Sequence, residues 1–353
     1  KFAKGARGDC NGDLAAPDDL EVALLAARIL AQHKRYELAQ MQLSRILQED
    51  SLRTHPNLYV RALYQLAQIL DHNDRFVQAV EALEKAKEIQ KRHPDAEPLL
   101  RKTLQRSLQL GGLYQQIDPT VLQRWTSVNL EPLPNQLATV HLLGFPRSGT
   151  TLLEQILDAH EAVATSSERQ VFSHEILPCM VTPNEDALDT WTRLNALTAA
   201  ELNHLRRRYC TLMSATHAEP MRQITHVDKQ PGNIDFLFGL VRLFPDARFI
   251  VMLRDPRDVI LSNFFRYTAD RPTGVNFLSW GSTSTVYLQS MEIWLYMREL
   301  LDPASWIECR YEQLCINFVE ETRKVVEFLG HQLTPATLDY LSQTTNKYIH
   351  SPT

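Results

Sequence analysis

Between residues 19 and 109 the apolar residues recur at helical spacing, and the pattern occurs twice. One copy reads VALLAARILAQHKRYELAQMQLSRIL, and the next reads RALYQLAQILDHNDRFVQAVEALEKAKEI. Superposing the copies at an offset of 40 residues aligns similar residues: Ala27 with Ala67, Leu30 with Leu70, Tyr36 with Phe76, Ala39 with Ala79, and Leu43 with Leu83. Apolar residues three and four positions apart line one face of a helix. The pattern therefore predicts two similar helix pairs.

These pairs resemble tetratricopeptide-type units, in which small residues lie where two helices cross and a large residue lies at the turn. The offset exceeds the usual spacing of roughly 34 residues, which indicates a longer linker around EDSLRTHPN. A third, weaker pair follows, with Asp118 as the expected N-cap of DPTVLQRWTS and Pro119 at its first helical position. We expect residues 19–130 to form a tetratricopeptide-like helical domain. It would bind a protein or a second subunit, and a helical bundle that only happens to repeat is the alternative.

The pattern changes after NLEPLPNQL, a stretch with two prolines that we interpret as a linker. Short apolar runs typical of buried strands now alternate with helical spacing. The predicted strands are ATVHLLGF, ARFIVML and WIECRY, and the predicted helices are GTTLLEQILDAH, TVYLQSMEIWLYMRELL and FVEETRKVVEFLG. Such alternation predicts an α/β domain with a parallel sheet flanked by helices over residues 137–353. Residues 1–18 have no periodicity and are expected to be a flexible leader.

Composition limits the possible functions. The 353 residues suffice for two domains, 44% are hydrophobic, and the net charge of -5 argues against nucleic-acid binding through a broad basic surface. No apolar run is long enough to span a membrane, and no signal-peptide pattern occurs. The five cysteines are scattered, and the histidines lack ligand spacing, so we expect neither disulfides nor a metal. The cytoplasm is the predicted location, and the lumen of the secretory pathway is the alternative if an N-terminal anchor was removed.

A glycine-rich segment, GFPRSGTT at residues 144–151, joins the first predicted strand to the helix that follows. It has the glycines and final Thr of a P-loop, but Thr150 replaces the lysine that reaches the phosphates of ATP. Backbone amides at a helix N-terminus favour an anion, and glycines allow its close approach. Hydroxyls and one guanidinium add donors: Arg147, Ser148, Thr150 and Thr151. The segment predicts an anion site, with a structural glycine turn as the alternative.

A second segment, RFIVMLRDPRDVILSNFFR, places Arg254 at a strand end and Ser262 and Arg266 on the next helix. Strand ends in parallel sheets face the ligand crevice, so these residues can form a second phosphate site. The alternative is a solvated helix start with Arg–Asp pairs through Asp255 and Asp258. An ATPase or GTPase is disfavoured because the lysine is missing, although Asp228 ends an apolar stretch as a metal-binding carboxylate would.

GFPRSGTT followed by RDPRDVILS resembles the two cofactor loops of the sulfotransferases that use 3′-phosphoadenosine 5′-phosphosulfate. VDKQPGN and RYEQL…FLG occur in that family's order, so the resemblance spans nearly all of residues 138–330. It is strongest to the tyrosylprotein sulfotransferases and to bacterial sulfotransferases that carry tetratricopeptide repeats. In that family a cofactor-covering segment follows the last helix, and we expect the portion ending at NKYIHSPT to lack it.

The resemblance implies a role for each matching residue. The first loop would hold the 5′-phosphosulfate, and the residues matching it are Arg147, Ser148, Gly149, Thr150 and Thr151. Arg254, Ser262 and Arg266 would hold the 3′-phosphate, and Tyr311 would lie near the nucleoside. No metal is required.

The resemblance also implies catalytic roles. Arg147 would face the bridging oxygen of the leaving group, and Lys229 would lie beside the transferring group. Glu168, 21 residues beyond Arg147, matches the general base of the tyrosylprotein enzymes. The alternative is that Glu168 begins a helix capped by one of the two preceding serines. Gln170 replaces an arginine of the tyrosylprotein pattern, which weakens the case for an acidic peptide acceptor.

Three functions therefore stay open. The first is transfer of a sulfuryl group to the hydroxyl of a protein tyrosine, and the second is transfer to a saccharide or small metabolite. The third, from another class, is a tetratricopeptide-containing adaptor with a degenerate, non-catalytic nucleotide fold. Retention of Arg147, Lys229, Arg254 and Ser262 argues against the adaptor.

We expect adenosine 3′,5′-bisphosphate to bind tightly and ATP weakly, because the loop lacks its lysine and a second phosphate site is predicted. Arg254→Ala should weaken bisphosphate binding, since it removes a charge from the 3′-phosphate. Isothermal calorimetry measures both. Equal affinities for the two nucleotides, or full affinity in the variant, would contradict the assignment.

Overall fold

The structure is a computed structural model that describes residues 20–133, 139–181, 187–214, 225–268 and 272–338. The predicted leader and the predicted truncated C-terminal segment lie outside these residues, as does part of the proline linker. The helices are α1 (Leu20–Gln32), α2 (Tyr36–Ile46), α3 (Glu49–Thr54), α4 (Pro56–His72), α5 (Phe76–Lys91), α6 (Ala96–Tyr114), α7 (Pro119–Thr126), α8 (Thr150–Asp158), α9 (Leu177–Met180), α10 (Ala187–Ala196), α11 (Ala199–Ser214), α12 (Leu237–Leu243), α13 (Pro256–Phe264), α14 (Trp280–Leu300), α15 (Tyr311–Ile316), α16 (Phe318–Phe328) and α17 (Pro335–Leu338). The strands are β1 (Thr139–Gly144), β2 (Val163–Ser167), β3 (Thr225–Lys229), β4 (Arg248–Leu253) and β5 (Trp306–Arg310). A π-helical turn spans Val171–Ile176, and 3₁₀ turns span Pro231–Phe236, Pro272–Phe277 and Pro303–Ser305.

Two compact units make up the chain. The first contains residues 1–97 and 265–278, and the second contains residues 98–264 and 279–353. Helix α7 and α6 from Pro98 onward therefore group with the sheet. The predicted domain border at residue 130 follows the change in hydrophobic pattern and stays a prediction. Within the described part of the chain, no helix is both long and apolar enough to cross a membrane.

The helical unit contains two hairpins, α1–α2 and α4–α5, that repeat in detail. At each turn one residue has a left-handed backbone, Lys34 at φ +58° and Asp74 at +57°. The following amide donates to the carbonyl five residues back in both cases, Arg35 to Leu30 and Arg75 to Leu70, each at 2.9 Å. The small residues at the helix crossings are fully buried, as the repeat requires: Ala27, Ala39, Ala67 and Ala79. The α3 helix occupies the longer linker. That these hairpins are tetratricopeptide repeats stays a prediction.

A buried lysine of the helical unit contacts Phe277, which belongs to the same unit. The Nζ of Lys87, whose side chain is 1% exposed, donates to the Tyr64 hydroxyl at 3.1 Å and to the Phe277 carbonyl at 2.6 Å. Burial disfavours the ammonium and lowers the pKa of Lys87 to about 7. The hydrogen bonds of Lys87 thus link the Phe277 carbonyl to Tyr64 on α4.

The second unit has a five-stranded sheet in the order β2-β3-β1-β4-β5, and every pair is parallel. Successive side chains of a strand point to opposite faces, so each strand contributes to two cores. Leu143, Phe249 and Val251 join the core built with α11 and α12. Leu142 and Ile250 join the core built with α8 and α16. Burial on both faces explains the unbroken apolar runs of the sequence.

The predicted α/β fold, a parallel sheet flanked by helices, is confirmed. All three predicted strands form β1, β4 and β5, and all three predicted helices form α8, α14 and α16. The Asp118 cap is confirmed as well, since its Oδ1 accepts from the Val121 amide at 2.8 Å. Strand β2, VATSS, had too few apolar residues for the sequence pattern to indicate it.

Leu142→Ala is expected to lower the free energy of unfolding by about 2–5 kcal/mol, because Leu142 is fully buried in the central strand and its loss leaves a cavity. Urea unfolding measures the change. Leu288→Ala on α14 is the control, since Leu288 is 56% exposed and should cost less than about 0.5 kcal/mol. Equal costs for the two variants would contradict the described core.

Candidate active site

The loop between β1 and α8 is shaped by backbone conformations that side chains rarely adopt. Gly144 has φ +152°, Arg147 +76° and Gly149 +101°. Gly149 immediately precedes α8, whose first amides have no partner within the helix and can bind an anion. Arg147 is not a glycine, so its left-handed backbone is strained and requires support from its surroundings. Strain of this kind is concentrated at binding sites.

Both glycines are required by close contacts. A Cβ at position 144 would lie 2.7 Å from the Met252 carbonyl oxygen, and one at position 149 would lie 2.5 Å from the Tyr311 ring. The loop is therefore packed directly on the end of β4 and on the residue that follows β5. This packing places the predicted phosphate loop against the predicted nucleoside residue, Tyr311.

The second predicted segment meets the same loop. Arg147 Nε donates to Ser262 Oγ on α13 at 2.9 Å, and Arg254 Nη1 donates to the Arg147 carbonyl at 3.3 Å. The Arg254 guanidinium also lies 4.4 Å from the centre of the Tyr311 ring, a cation–π contact. Burial raises the pKa of the Tyr311 hydroxyl, so it stays neutral. Tertiary structure thus brings together Arg147, Gly149, Arg254, Ser262 and Tyr311.

Two polar atoms of this cluster are buried without a hydrogen-bond partner among the described residues. They are Ser148 Oγ in the loop and Arg254 Nε beside it. A buried donor without a partner is costly, and the cost disappears when an anion binds. The two groups therefore fit a ligand with negatively charged oxygens at both predicted phosphate positions.

Arg257 shows the contrasting case of a solvated charge. Its side chain is 89% exposed and pairs with Asp255 at 2.6 Å. The Arg257 hydrogen bond lowers the pKa of Asp255 to about 2. The Arg–Asp alternative is thus correct for Arg257. Arg254 forms such a pair as well, with Asp258 at 3.4 Å, but it also donates to the carbonyl of Arg147 in the loop.

The predicted catalytic pair lies at the ends of β2 and β3. Lys229 is fully buried, and its Nζ lies 3.0 Å from Oε1 of Glu168. Strand pairing sets this geometry, because Ser167 lies opposite Lys229 in the sheet and the Glu168 amide donates to the Lys229 carbonyl at 2.8 Å. Glu168 has a strained φ of +43°. Its side chain is 33% exposed, so a ligand can reach its carboxylate.

The alternative in which serines cap a helix at Glu168 is wrong. Ser166 and Ser167 lie in β2, and the helical turn that follows begins only at Val171. The Ser166 hydroxyl is directed to Asp228 Oδ1 at 3.5 Å instead.

The Asp228 side chain lies on the opposite face of β3 from Lys229. Adjacent residues of a strand point to opposite faces, so Asp228 points away from Lys229 into the core. Its Oδ2 accepts from the Tyr209 hydroxyl at 2.8 Å, and His141 Nδ1 lies 3.6 Å away. Within the described ranges, no cluster of His, Cys, Asp and Glu could hold a metal.

Sequence reasoning missed Glu154. Its Oε2 lies 3.1 Å from Lys229 Nζ, and the residue is only 5% exposed on α8. Burial raises the pKa of Glu154, and the neighbouring Lys229 ammonium opposes that rise. A signal was present: Glu154 follows Thr150 by four residues, which places it on the same helix face as a loop hydroxyl.

Not every predicted residue is placed in this cluster. Thr150 and Thr151 begin α8, with Thr150 buried. Arg266 lies two residues beyond α13, in the segment that groups with the helical unit. Its role with the 3′-phosphate stays a prediction.

The chain is thus a parallel α/β protein in which a P-loop-like loop, a strand-end arginine and a buried lysine lie at the carboxyl ends of the strands. The sulfotransferase family model matches residues 140–335, which is more than half of the chain. The chain belongs to the sulfotransferase family. Membership confirms the resemblance that the motifs indicated.

Several named proteins are similar to this chain. The protein-tyrosine sulfotransferase of Drosophila melanogaster is 27% identical over 220 residues, which is 58% of this chain and 40% of that protein. Protein-tyrosine sulfotransferase A of Caenorhabditis elegans is 25% identical over 188 residues, 53% of this chain and 48% of that protein. Each match thus spans less than half of the relative's length. The solved sulfotransferase domain from the curacin biosynthetic pathway has a TM-score of 0.42 and 19% identity, covering 59% of this chain and 78% of its own.

Gly149→Ala is expected to destabilise the protein by more than about 1 kcal/mol, since the new Cβ meets the Tyr311 ring and φ is +101°. Gly232→Ala is the matched control, because no atom lies within 4 Å of its Cβ position. Chemical unfolding measures both. A loss at Gly149 no larger than at Gly232 would contradict the described loop.

Proposed function

We propose that this protein transfers a sulfuryl group from 3′-phosphoadenosine 5′-phosphosulfate to a hydroxyl group of an acceptor. The observation that supports this most directly is the position of Glu168. An accessible carboxylate, held 3.0 Å from a buried ammonium, adjoins the edge of the sheet where the anion loop lies. Family membership and the names of the similar proteins support the same reaction.

The residues present fit the cofactor. The loop amides with Ser148, Thr150 and Thr151 would hold the 5′-phosphosulfate. Arg254 and Ser262 would hold the 3′-phosphate, and Tyr311 would lie against the nucleoside. The partnerless Ser148 Oγ and Arg254 Nε are the groups that such a ligand would satisfy. When bound, phosphoadenosine phosphosulfate supplies the activated sulfuryl group.

Glu168 acts as the general base. A hydroxyl must lose its proton as it attacks, and a base within hydrogen-bond reach accelerates that step by about 10²–10⁴-fold. The carboxylate of Glu168 is one-third exposed, so an acceptor can approach it from solvent. The hydrogen bond from Lys229 fixes its orientation.

Arg147 and Lys229 stabilise negative charge. Donors fixed before the reaction need little reorganisation when charge develops on the reacting oxygens. The strained backbone of Arg147 and the full burial of Lys229 hold these two groups in such fixed positions. In the described structure Arg147 donates to Ser262, which links the two predicted phosphate positions.

A protein tyrosine is the acceptor that the named relatives favour, since both act on protein tyrosine by name. Gln170 stands where the tyrosylprotein pattern has an arginine, so we propose a peptide without a strongly acidic context. A saccharide or small metabolite is the second candidate. The helical unit would bind the protein acceptor or a second subunit, and a cytoplasmic location stays a prediction.

The test uses purified protein, radiolabelled phosphoadenosine phosphosulfate and three acceptor sets: tyrosine peptides, saccharides and small phenols. We expect label on a hydroxyl acceptor, and Glu168→Gln should lower kcat by about 10²–10⁴-fold because it removes the base. Its affinity for adenosine 3′,5′-bisphosphate, measured by calorimetry, should not change.

Glu161→Gln is the control, because Glu161 is exposed and its loss removes one carboxylate without touching the site. Label on peptides alone would select the tyrosine acceptor, and label on saccharides alone the second candidate. Intact bisphosphate binding with no transfer to any acceptor, including those of a cell extract, would favour the adaptor. Full activity in Glu168→Gln would exclude the base assignment.

A further inference from the structure

Lys229 is held by two carboxylates that differ in access. The side chain of Glu168 is 33% exposed, whereas that of Glu154 is 7% exposed. An acceptor can therefore reach the first and is excluded from the second. Nothing in the motifs assigns a role to Glu154, yet its Oε2 lies as close to Nζ, at 3.1 Å, as Glu168 does.

The charges around Lys229 can be followed through the reaction. Before it, one ammonium faces two carboxylates. When the acceptor reacts, its oxygen forms a bond to sulfur, and the bond between sulfur and the bridging phosphate oxygen breaks, with its electron pair leaving on adenosine 3′,5′-bisphosphate. The O–H bond of the acceptor breaks as well, its electron pair stays on the acceptor oxygen, and the proton goes to Glu168. The protonated Glu168 no longer balances the charge of Lys229. A buried ammonium without a counter-charge is strongly disfavoured, so a second carboxylate is needed at that moment.

No other described acid serves this purpose. Asp228 points to the opposite face of β3 and bonds Tyr209, and Asp235 accepts from Ser290 at 2.6 Å. Across the sheet, β1 presents the apolar Leu142 opposite Lys229. The charged groups recorded within bonding distance of Lys229 in the described residues are thus Glu154 from α8 and Glu168 from the end of β2.

We propose that Glu154 is a positioning residue that holds the Lys229 ammonium in place and supplies its counter-charge while Glu168 is protonated. This inference rests on the proposed function, since it requires Glu168 to take a proton. Glu154 touches neither acceptor nor cofactor and acts through Lys229.

The test is Glu154→Gln, which keeps size and hydrogen bonding and removes the charge. We expect kcat to fall roughly 10- to 100-fold, since a misplaced catalytic group has effects of that order. The KM for the acceptor and the affinity for adenosine 3′,5′-bisphosphate should stay unchanged. The acid limb of the kcat/KM profile should move to lower pH, because a neighbouring negative charge favours protonation of Glu168 and the variant removes it.

Glu154→Asp and Glu161→Gln are the companion variants. Glu154→Asp keeps the charge, so its acid limb should coincide with that of the wild type while kcat falls moderately. Glu161→Gln, at an exposed position, should match the wild type in every measurement. If Glu154→Gln does not fold, the kcat of Glu154→Asp decides, because the shorter side chain moves the carboxylate away from Lys229. An unchanged kcat in that variant would overturn the inference.

Three results separate the inference from the proposed function. A wild-type protein that transfers no sulfuryl group removes the proposed function, and the inference with it. An active wild type with an equally active Glu154→Gln overturns the inference alone. If the acid limb of Glu154→Gln does not move, Glu154 has a role in stability only. The same conclusion follows if its activity is lost through weaker bisphosphate binding or a lower Tm.

Discussion

The parallel pairing of five strands is the constraint on which the site depends. In a parallel sheet all carboxyl ends meet at one edge, and each strand here ends beside a residue of the candidate site. Arg147 follows β1, Glu168 follows β2, Lys229 ends β3, Arg254 follows β4 and Tyr311 follows β5. Strand pairing thus brings residues up to 164 positions apart in sequence to the same edge of the sheet. The central strand β1 has β3 on one side and β4 on the other, so its loop lies at the switch point where such sheets bind ligands.

A charged side chain buried at that edge of the sheet needs partners that offset the loss of water. Burying an ammonium is costly, and among the described residues Lys87 and Lys229 are buried in different environments. Lys229 lies between two carboxyl groups, those of Glu154 and Glu168. Lys87 of the helical unit donates to the Tyr64 hydroxyl and the Phe277 carbonyl, and burial lowers its pKa to about 7. The Lys229 environment supplies two acidic partners, whereas the Lys87 environment links the Phe277 carbonyl to the helices of its own unit.

Local backbone strain marks the same functional edge. Four non-glycine residues of the described chain have left-handed φ values, and two of them are Arg147 and Glu168. The other two, Lys34 and Asp74, end helices in equivalent hairpin turns, where such a conformation is common. Arg147 and Glu168 end no helix, so their conformations are imposed by packing and by strand pairing. Strain that the fold imposes on an arginine and a carboxylate keeps both groups fixed before a ligand arrives.

The sequence by itself determined the features that depend on neighbours in the chain. The spacing of small and apolar residues predicted the helix hairpins, and short apolar runs predicted the strands β1, β4 and β5. The glycine loop without a P-loop lysine was also evident from the sequence. The residues matching the cofactor motifs followed from the same local patterns. Only tertiary structure paired Glu154 with Lys229, because the two residues are 75 positions apart and helical spacing from Thr150 shows the face of Glu154 but not its partner. Tertiary structure also shows that Arg254 contacts the loop whereas Arg257, in a similar sequence context, is exposed. It shows as well that Asp228 points into the core. Which way a charged side chain points depends on the elements packed around it, and that packing is not contained in local sequence.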